Sequence, residues 1–382
     1  MNQHVLRVED CRNYVEEIFG QMHKKRQHSL ADAALGILAS GSLVLHEIGE
    51  GLAEIRGLVK KHAVKQVDRL LSNEKLDIWD LSSNWVPYIV GERKEIIVIL
   101  DWTSFADDGQ STLSLNLLTH HGRATPLLWQ TVDKSRLKNN RVRYEDQMLS
   151  KLKDSLPEDV NVTLIADRGF ADKKFFEFLE ETLNFNYIIR IKSNTYITSE
   201  SDKQNPARDW LRDDGRAHRL INAKITKEHF VVKQFVAVKH KAMKDGWFIA
   251  SNCDYPASRI IKLYGRRWSI EPYFRDLKDI RFGFGMSFTH TKKPERRDRL
   301  LLMMSLCYVL LTLLGSAGEQ LGLDKYLKVN TVKTRTHSLV RQGEFYFRYF
   351  PKFKSEQQSA LIERFDYLLE QQPQWYKLLF VC

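Results

Sequence analysis

Residues 95–101 read EIIVILD, an apolar run of mainly β-branched side chains with a charged residue at each end. A short continuous run of this kind predicts a strand that is buried on both faces of a sheet. A second run, NVTLIAD at residues 161–167, has the same character and also leads into an acid. The sequence therefore predicts two central strands that end at Asp101 and Asp167.

Weaker strand patterns surround these two runs. Leucines alternate with polar residues over 111–119, and another strand is predicted at 126–132, with Gly122 as the turn between them. The run YIIRI at 187–191 predicts a further strand, and the segment 170–183 reads as a helix. The first three strands along the chain are thus predicted to form an antiparallel meander.

The segment 264–278, YGRRWSIEPYFRDLK, carries a third acid. On one continuous helix its Tyr264, Arg267, Glu271 and Lys278 would share a face. An acid surrounded by these groups is suited to holding a polyanion against a metal ion. The alternative is a surface helix with ordinary ion pairs, which is the commoner explanation of a charged helix.

About 100 residues separate Asp167 from Glu271, far more than the roughly 2–8 that usually join neighbouring elements. Alternating apolar residues and turn signals over 192–245 predict a mainly β insertion, closed by a strand at 246–251. The apolar run at 300–314 is too short to span a bilayer comfortably and is predicted to be a buried helix.

The first ninety residues are predicted to be helical. Ser29 could cap a helix that ends near Ser40, and Ser42 could cap the next. A third helix, within 60–73, has a basic stripe made of Lys60, Lys61, Lys65 and Arg69. Such a bundle fits a DNA-binding head of helix-turn-helix type, and it fits a solvated surface helix equally well.

The composition of the 382 residues predicts a globular protein of two or three domains, with 43% apolar residues and a net charge of +11. This excess of positive charge would attract nucleic acid or an anionic membrane. The four cysteines have neither metal-ligand nor disulfide spacing, and the amino-terminal residues do not resemble a signal peptide. We therefore expect a cytoplasmic protein without structural zinc or a membrane span.

Two strand-end acids and a third on a later helix suit divalent Mg²⁺ or Mn²⁺. Two such ions can activate an attacking hydroxyl and stabilise a leaving oxygen, so Asp101, Asp167 and Glu271 predict phosphoryl transfer on a phosphodiester. Taken singly, a strand-end aspartate is more often a turn or cap residue. Their joint occurrence beside the Tyr/Arg/Lys face favours the functional interpretation.

The spacing Tyr-x2-Arg-x3-Glu-x6-Lys, after strands that end Asp-Trp-Thr and Asp-Arg-Gly-Phe, resembles the DDE transposases of the bacterial insertion-sequence-four family, in their Tyr-Arg-Glu-Lys signature branch. The resemblance runs from about residue 60 to residue 339. It implies an α/β fold with an RNase H-like mixed-sheet core, a β-rich insertion, and helical regions at both ends. The implied division is a helical DNA-binding domain at 1–90, the first part of the core at 91–191, the insertion at 192–245, the rest of the core with the signature helix at 246–300, and at 301–382 a helical region that covers the core or forms a dimer contact.

The resemblance also implies roles for single residues. Asp101, Asp167 and Glu271 would hold Mg²⁺, with Mn²⁺ as a substitute, while Tyr264, Arg267 and Lys278 would bind phosphates. Trp268 and Trp247 match family tryptophans that could stack on a flipped base, or they are core residues. The implied partners are double-stranded DNA, as transposon ends and as target, and a second copy of the chain in the synaptic complex.

The implied reaction is cut-and-paste transposition through a hairpin intermediate, by a bacterial protein associated with the nucleoid. A metal-dependent DNA nuclease without strand transfer has the same chemistry and stays open. A non-catalytic DNA-binding protein would not need all three acids. A phosphate-binding scaffold would leave the two strand-end acids unexplained.

Overall fold

The computed structural model describes residues 5–226, 229–281, 283–329 and 331–378. Helices come first along the chain. They are α1 (Val8–Ile18), α2 (Lys24–Ser40), α3 (Leu45–Arg56), α4 (Lys60–Leu71) and α5 (Ile78–Val90).

The middle of the chain alternates strands and helices. Its elements are β1 (Glu95–Thr103), β2 (Gln110–Leu117), β3 (Thr125–Asp133), α6 (Lys134–Leu137), α7 (Arg141–Ser155), β4 (Asn161–Ala166), α8 (Lys173–Glu177), β5 (Asn186–Arg190), β6 (Tyr196–Thr198), β7 (Gln204–Pro206), β8 (His218–Ile225), β9 (Phe230–Val238) and β10 (Trp247–Ser251). The last part is helical again, with α9 (Ala257–Gly265), α10 (Ile270–Lys278), α11 (Pro294–Gln320), α12 (Leu339–Tyr349), α13 (Ser355–Glu370) and α14 (Trp375–Leu378).

All strands of the described residues join one mixed sheet in the order β3-β2-β1-β4-β5-β10-β9-β8-β6-β7. The predicted meander is confirmed, because β2 pairs antiparallel with both β1 and β3. Strands β1, β4 and β5 are parallel neighbours at the centre. The carboxyl ends of parallel neighbours lie at the same edge of a sheet, so this topology brings the two predicted aspartates together.

Residues 192–245, which were predicted to be mainly β, contain the strands β6 to β9. Strand β10 pairs antiparallel with β5 on one side and with β9 on the other. The inserted strands β6 to β9 therefore extend the central sheet instead of forming a separate layer.

The apolar helix predicted at 300–314 is the buried middle of α11. It crosses α12 so closely that a Cβ at Gly315 would overlap the Leu339 carbonyl oxygen, and one at Gly343 would overlap the Leu311 carbonyl oxygen. Among the described helices, α11 alone is long and apolar enough by itself to span a membrane, and α2 with α3 pass the same test jointly although bent by 97°. The apolar stretch of α11 is completely buried, as in the core helix of a folded domain.

The amino-terminal helices are present, but their predicted caps are wrong. Helix α2 begins at Lys24, after His23, because lysine, arginine and glutamine extend a helix readily. Ser29 lies inside it and donates to the Lys25 carbonyl. The N-cap of α3 is Val44, not Ser42. The Ser42 hydroxyl accepts a hydrogen bond from the Val44 amide, so it stabilises the turn just before the helix. The predicted end of α2 at Ser40 is confirmed.

The single continuous helix predicted for 264–278 is also wrong. Helix α9 ends at Gly265, a 3₁₀ turn covers Arg266–Ser269, and α10 starts at Ile270. Pro272 has no amide hydrogen to donate to residue 268, and its ring crowds that carbonyl, so a regular helix cannot continue through this point. Similarly, the helix predicted at 170–183 is regular only in α8 and continues as a wider turn at Phe178–Thr182.

Candidate active site

Asp101 and Asp167 lie at the ends of neighbouring parallel strands. The register pairs Leu100 of β1 with Ala166 of β4, and each aspartate follows its paired residue. Asp101 is not the last residue of its strand, as the sequence suggested, because β1 continues to Thr103 in its pairing with β2. Both side chains are half-buried at the carboxyl edge of the sheet.

Both carboxylate oxygens of Asp101 accept hydrogen bonds. Its Oδ1 accepts the Trp102 amide at 2.9 Å, and its Oδ2 accepts Nη1 of Arg267 at 3.3 Å. Burial raises the pKa of Asp101, Arg267 and the Trp102 amide lower it, and the charges of Glu271 and Asp167 raise it further. Asp101 is therefore close enough to both Glu271 and Asp167 for their charges to repel it.

Asp167 is held by backbone, tyrosine and arginine. Its Oδ1 accepts the Arg168 amide at 2.8 Å and the Tyr264 hydroxyl at 3.1 Å. Nη1 of Arg190, on β5, lies 4.0 Å from the same oxygen. Burial raises the pKa of Tyr264 to about 12, and the Asp167 charge adds to this rise, so the hydroxyl stays protonated and donates.

Glu271 is the second residue of α10, and Lys278 is its last. Burial lowers the pKa of Lys278, whereas the charges of Glu271 and Asp101 raise it, which places this ammonium near both acids. The ammonium also lies 5.7 Å from the ring centre of Phe105 and 5.6 Å from that of Phe274. Glu271 is exposed and lines an open cleft of about 590 Å³ together with Lys278.

Two buried donors at the site have no acceptor within the described residues. They are Nε of Arg267, a residue that is 6% exposed, and Nε of Arg190. A buried donor without a partner is costly, on the order of 1–3 kcal/mol, and is explained if a ligand supplies the acceptor. Because guanidinium groups are positively charged and pair well with phosphate, the missing acceptor is expected to be an anion such as phosphate.

The two predicted tryptophans have different surroundings. Trp268 is 55% exposed, with the Arg267 guanidinium 5.4 Å from its ring centre. Trp247 is half-buried on β10, and its ring meets the Tyr264 ring edge-on at 5.0 Å. Trp268 is therefore available to a ligand, whereas Trp247 supports the tyrosine that binds Asp167.

Arg190 is the site residue that sequence reasoning missed. It occurs in the strand run 187–191, but only the pairing of Ala166 with Ile189 brings it beside Asp167. Two further charged or titratable residues, Arg168 and His290, have exposed side chains.

A second group of polar side chains supports the first aspartate. The Trp102 indole donates to Glu145 at 2.7 Å, and Arg141 donates to the same Oε1 at 2.8 Å. The Arg141 guanidinium also lies 5.6 Å from the Trp102 ring centre and 5.4 Å from that of Phe170. This network fixes the residues that follow Asp101 and Asp167.

The donor chemistry of the acids fits a hard divalent cation, which takes carboxylate oxygens. Mutual repulsion at Asp101 is the kind of strain that a bound cation relieves. Within the described ranges, however, no three acidic, histidine or cysteine side chains are close enough to hold an ion as a ready-made set. Arg267 supplies the positive charge beside Asp101, so binding a cation requires some rearrangement of Arg267 or Glu271.

A comparison with family models gives one match, to the transposase DDE domain, over residues 92–310. This range covers more than half of the chain and includes Asp101, Asp167 and Glu271. A comparison with curated proteins found no match. The matched range begins just before β1 and ends within α11, so it contains the sheet, the insertion and the signature segment. The chain belongs to the family of proteins that carry a transposase DDE domain.

Proposed function

We propose that this protein is a cut-and-paste DNA transposase of the insertion-sequence-four type, with Asp101, Asp167 and Glu271 as its catalytic acids. The observation that carries the proposal is that the charges of Glu271 and Asp167 both act on Asp101, which lies at the carboxyl edge of the sheet. The strand order β3-β2-β1-β4-β5, with β1, β4 and β5 parallel, supports an RNase H-like core. We also propose the domain division that the resemblance implies, with a DNA-binding domain at 1–90, a core interrupted by the insertion at 192–245, and a helical region at 301–382.

The three acids would hold Mg²⁺, with Mn²⁺ as a substitute. The bound ions would activate the attacking oxygen and stabilise the leaving oxygen. Arg267, Arg190 and Lys278 place positive charge around the same point, and the buried Nε atoms of both arginines are free to donate to phosphate oxygens. Donors fixed in this way stabilise charge that develops on phosphorus-bound oxygens in the transition state.

The proposed reaction has four displacements at phosphorus. Water attacks first, forming a new P–O bond while the bond to the 3′-oxygen breaks and that oxygen takes a proton. The freed 3′-hydroxyl then attacks the opposite strand, losing its proton and releasing the flanking 3′-hydroxyl, which leaves a hairpin. A second water attacks the hairpin phosphate and breaks its bond to the 3′-oxygen, which takes a proton and becomes a 3′-hydroxyl again. In the fourth displacement this 3′-hydroxyl attacks a target phosphate, loses its proton and releases a 3′-hydroxyl of the target strand.

Trp268 would support the hairpin step, because a sharply bent end is expected to expel a base that needs an aromatic surface. Its exposed ring beside Arg267 is suited to stacking. Tyr264 would keep Asp167 in place through its hydrogen bond, with Trp247 packed behind it.

Recognition of transposon ends is assigned to α3 and α4. Only Gly57, Leu58 and Val59 separate the two helices, and Gly57 has the positive φ of 60° that such a turn favours. The stripe Lys60, Lys61, Lys65 and Arg69 is exposed on α4, as predicted. A helix-turn-helix presents the amino-terminal residues of its second helix to the major groove, which here are lysines.

The proposed partners are the terminal inverted repeats, target DNA and a second copy of the chain in the synaptic complex, in the bacterial cytoplasm at the nucleoid. These follow from the family resemblance. The catalytic site of one copy is expected to act on the end that its partner holds.

The test is incubation of the protein with a labelled candidate end, with magnesium, and separation of products on a denaturing gel. A transposase gives nicked, hairpin and joined products in that order of appearance. Cleavage without hairpin or joining would indicate a metal-dependent nuclease instead. Absence of any cleavage, with every acid intact and the end bound, would contradict both activities.

A further inference from the structure

A cavity of about 420 Å³ lies at the other end of β1, away from the catalytic acids. Strands β1 and β2, the loop after β2, and helices α5, α11 and α14 enclose it. This volume lies within the range of roughly 300–1,000 Å³ that is typical of sites for small molecules.

Most of the wall of this cavity is apolar. It is formed by aliphatic side chains and one indole, namely Ile89, Ile96, Ile97, Leu117, Leu118, Val309, Leu313 and Trp375. An apolar wall with few polar groups favours a ligand with a hydrocarbon or aromatic body.

The polar groups of the wall are mainly basic or titratable. Arg93, Lys94 and Arg266 line the cavity, against two acids, Glu92 and Glu95. Arg266 is anchored by a 2.8 Å bond from Nη2 to the Thr119 carbonyl, which fixes the guanidinium at the wall. Lys94 is paired with Asp159, outside the cavity, so Arg266 is the cation that is positioned to bind an acidic head.

His121 supplies an independent sign of a missing ligand. Its side chain lines the cavity and is only 6% exposed, and its Nδ1 has no hydrogen-bond partner within the described residues. Burial lowers the pKa of His121 to about 3, and the charges on Arg335, Arg123 and Arg93 add to this effect, so the ring is neutral. The same positive surroundings favour an anion next to the ring.

We propose that this cavity is a binding site for a small amphiphilic anion, whose apolar body packs on the aliphatic wall and whose carboxylate or other acidic group reaches His121 and Arg266. The site is separate from the catalytic acids and does not depend on the proposed function. Its assignment rests on the cavity, its wall and the unpartnered buried imidazole.

Direct binding is tested with octanoate as the probe. Isothermal titration calorimetry with the full chain measures its affinity and stoichiometry. We expect saturable binding of one octanoate per chain, and weaker binding of octanol by at least tenfold, because octanol lacks the acidic head. Equal binding of octanol would overturn the assignment of the basic groups. Absence of saturable octanoate binding would overturn the site.

Two substitutions locate the binding. Leu118→Trp fills the cavity from a half-buried position, and His121→Phe removes the polar nitrogen while keeping a ring of similar size. Each should weaken octanoate binding at least tenfold, while the matched controls Leu220→Trp and His240→Phe, outside the cavity, leave it unchanged. Unchanged binding in folded variants of both cavity residues would contradict the proposal.

A second measurement needs no variant. A photoreactive octanoate analogue carrying a diazirine should label peptides that contain residues 117–121 or 309–313, and excess octanoate should prevent the labelling. Competable labelling confined to other peptides would place the bound anion elsewhere and overturn the proposal.

Discussion

Nη1 of Arg267 lies 3.3 Å from Oδ2 of Asp101, so a buried guanidinium neutralises the carboxylate at which a metal ion is proposed to bind. Arg267→Gln should therefore bind Mn²⁺ more tightly in the absence of DNA. The expected gain is about tenfold, because removal of a nearby like charge is worth about 1.4 kcal/mol in a partly buried site.

The same Arg267→Gln substitution should slow single-turnover cleavage at least about tenfold, since a charged donor to phosphate is lost. Mn²⁺ titration followed by electron paramagnetic resonance and a cleavage time course measure the two effects. Lys262→Gln, an exposed change on the preceding helix, is the control. Weaker Mn²⁺ binding by Arg267→Gln would contradict competition between the guanidinium and the ion.

Removal of any one catalytic acid should abolish nicking while leaving end binding intact. We expect Asp101→Ala, Asp167→Ala and Glu271→Ala each to lower the nicking rate by at least about 100-fold, because a metal ligand is lost. Gel-shift and nicking assays on the same labelled end separate the two properties. Asp107→Ala, which changes an exposed carboxylate after β1, should behave as the unmodified protein. Nicking retained by one of the three variants would remove that residue from the site.

The two tryptophans should respond differently to truncation. Trp268→Ala should change the free energy of unfolding by no more than about 0.5 kcal/mol, because the ring is mostly exposed. Its hairpin yield should nevertheless fall more than its first nicking. Trp247→Ala should lower the free energy of unfolding by about 2 kcal/mol, since packing against Tyr264 is lost. Unaltered hairpin yield in Trp268→Ala would show that this ring does not hold a flipped base.

The lysines of α4 should act through phosphate contacts. Lys61→Ala and Lys65→Ala are each expected to weaken end binding and to reduce the salt dependence, the slope of log affinity against log salt, by about one. Fluorescence anisotropy at several salt concentrations measures both quantities. Lys174→Ala, on α8, is the control. An unchanged slope in both variants would favour the alternative of a solvated surface helix.

Asp298 gives a pH dependence that is independent of catalysis. Burial raises the pKa of Asp298 to about 7, although the Thr131 amide donates to both of its oxygens, at 2.9 and 3.1 Å. A raised pKa in the folded state means that the folded protein holds this proton more tightly than the unfolded chain. Stability from this group is therefore full below about pH 4 and is lost as the pH rises toward 7.

Asp298→Asn should remove this loss. Between pH 5 and pH 8 the free energy of unfolding of the unmodified protein should fall relative to that of Asp298→Asn by about 3 kcal/mol, because the fold holds this proton over about two pH units of that range. Urea denaturation at several pH values measures the difference. Parallel pH curves for the two proteins would show that Asp298 is ionised in the fold across this range.

Much of the sheet could be predicted from local pattern. The runs before Asp101 and Asp167 are apolar on both faces, which only a central strand needs, and the meander and the buried helix have equally clear periodicities. The exposed basic stripe of α4 follows from the same rule. Local pattern also places each aspartate at the end of an apolar run, and it is the parallel pairing of β1 with β4 that brings the two aspartates together.

The remaining features depend on contacts between distant segments. Arg190 joins the site only through the register of β4 and β5, and nothing in its own strand indicates this. The break before α10 did have a local signal, Pro272. The helical spacing of Tyr264 and Lys278 nevertheless favoured one continuous helix in the prediction. The three acids do not form a ready-made set of metal ligands in the described residues, and the Arg267 guanidinium lies beside Asp101 instead. The position of a side chain as long as arginine does not follow from the spacing of residues along the chain.

The continuous ladder from β5 through β10 to β9 has a mechanical consequence. Within the described residues, backbone hydrogen bonds connect the insertion through β10 to β5, the strand beside Asp167. The insertion is therefore attached to the central sheet without a flexible linker between β9, β10 and β5. Nucleic acid bound by the insertion would therefore lie at a fixed distance from the proposed catalytic acids. The choice of the bond to be cut would then be made when the chain folds, before any DNA arrives.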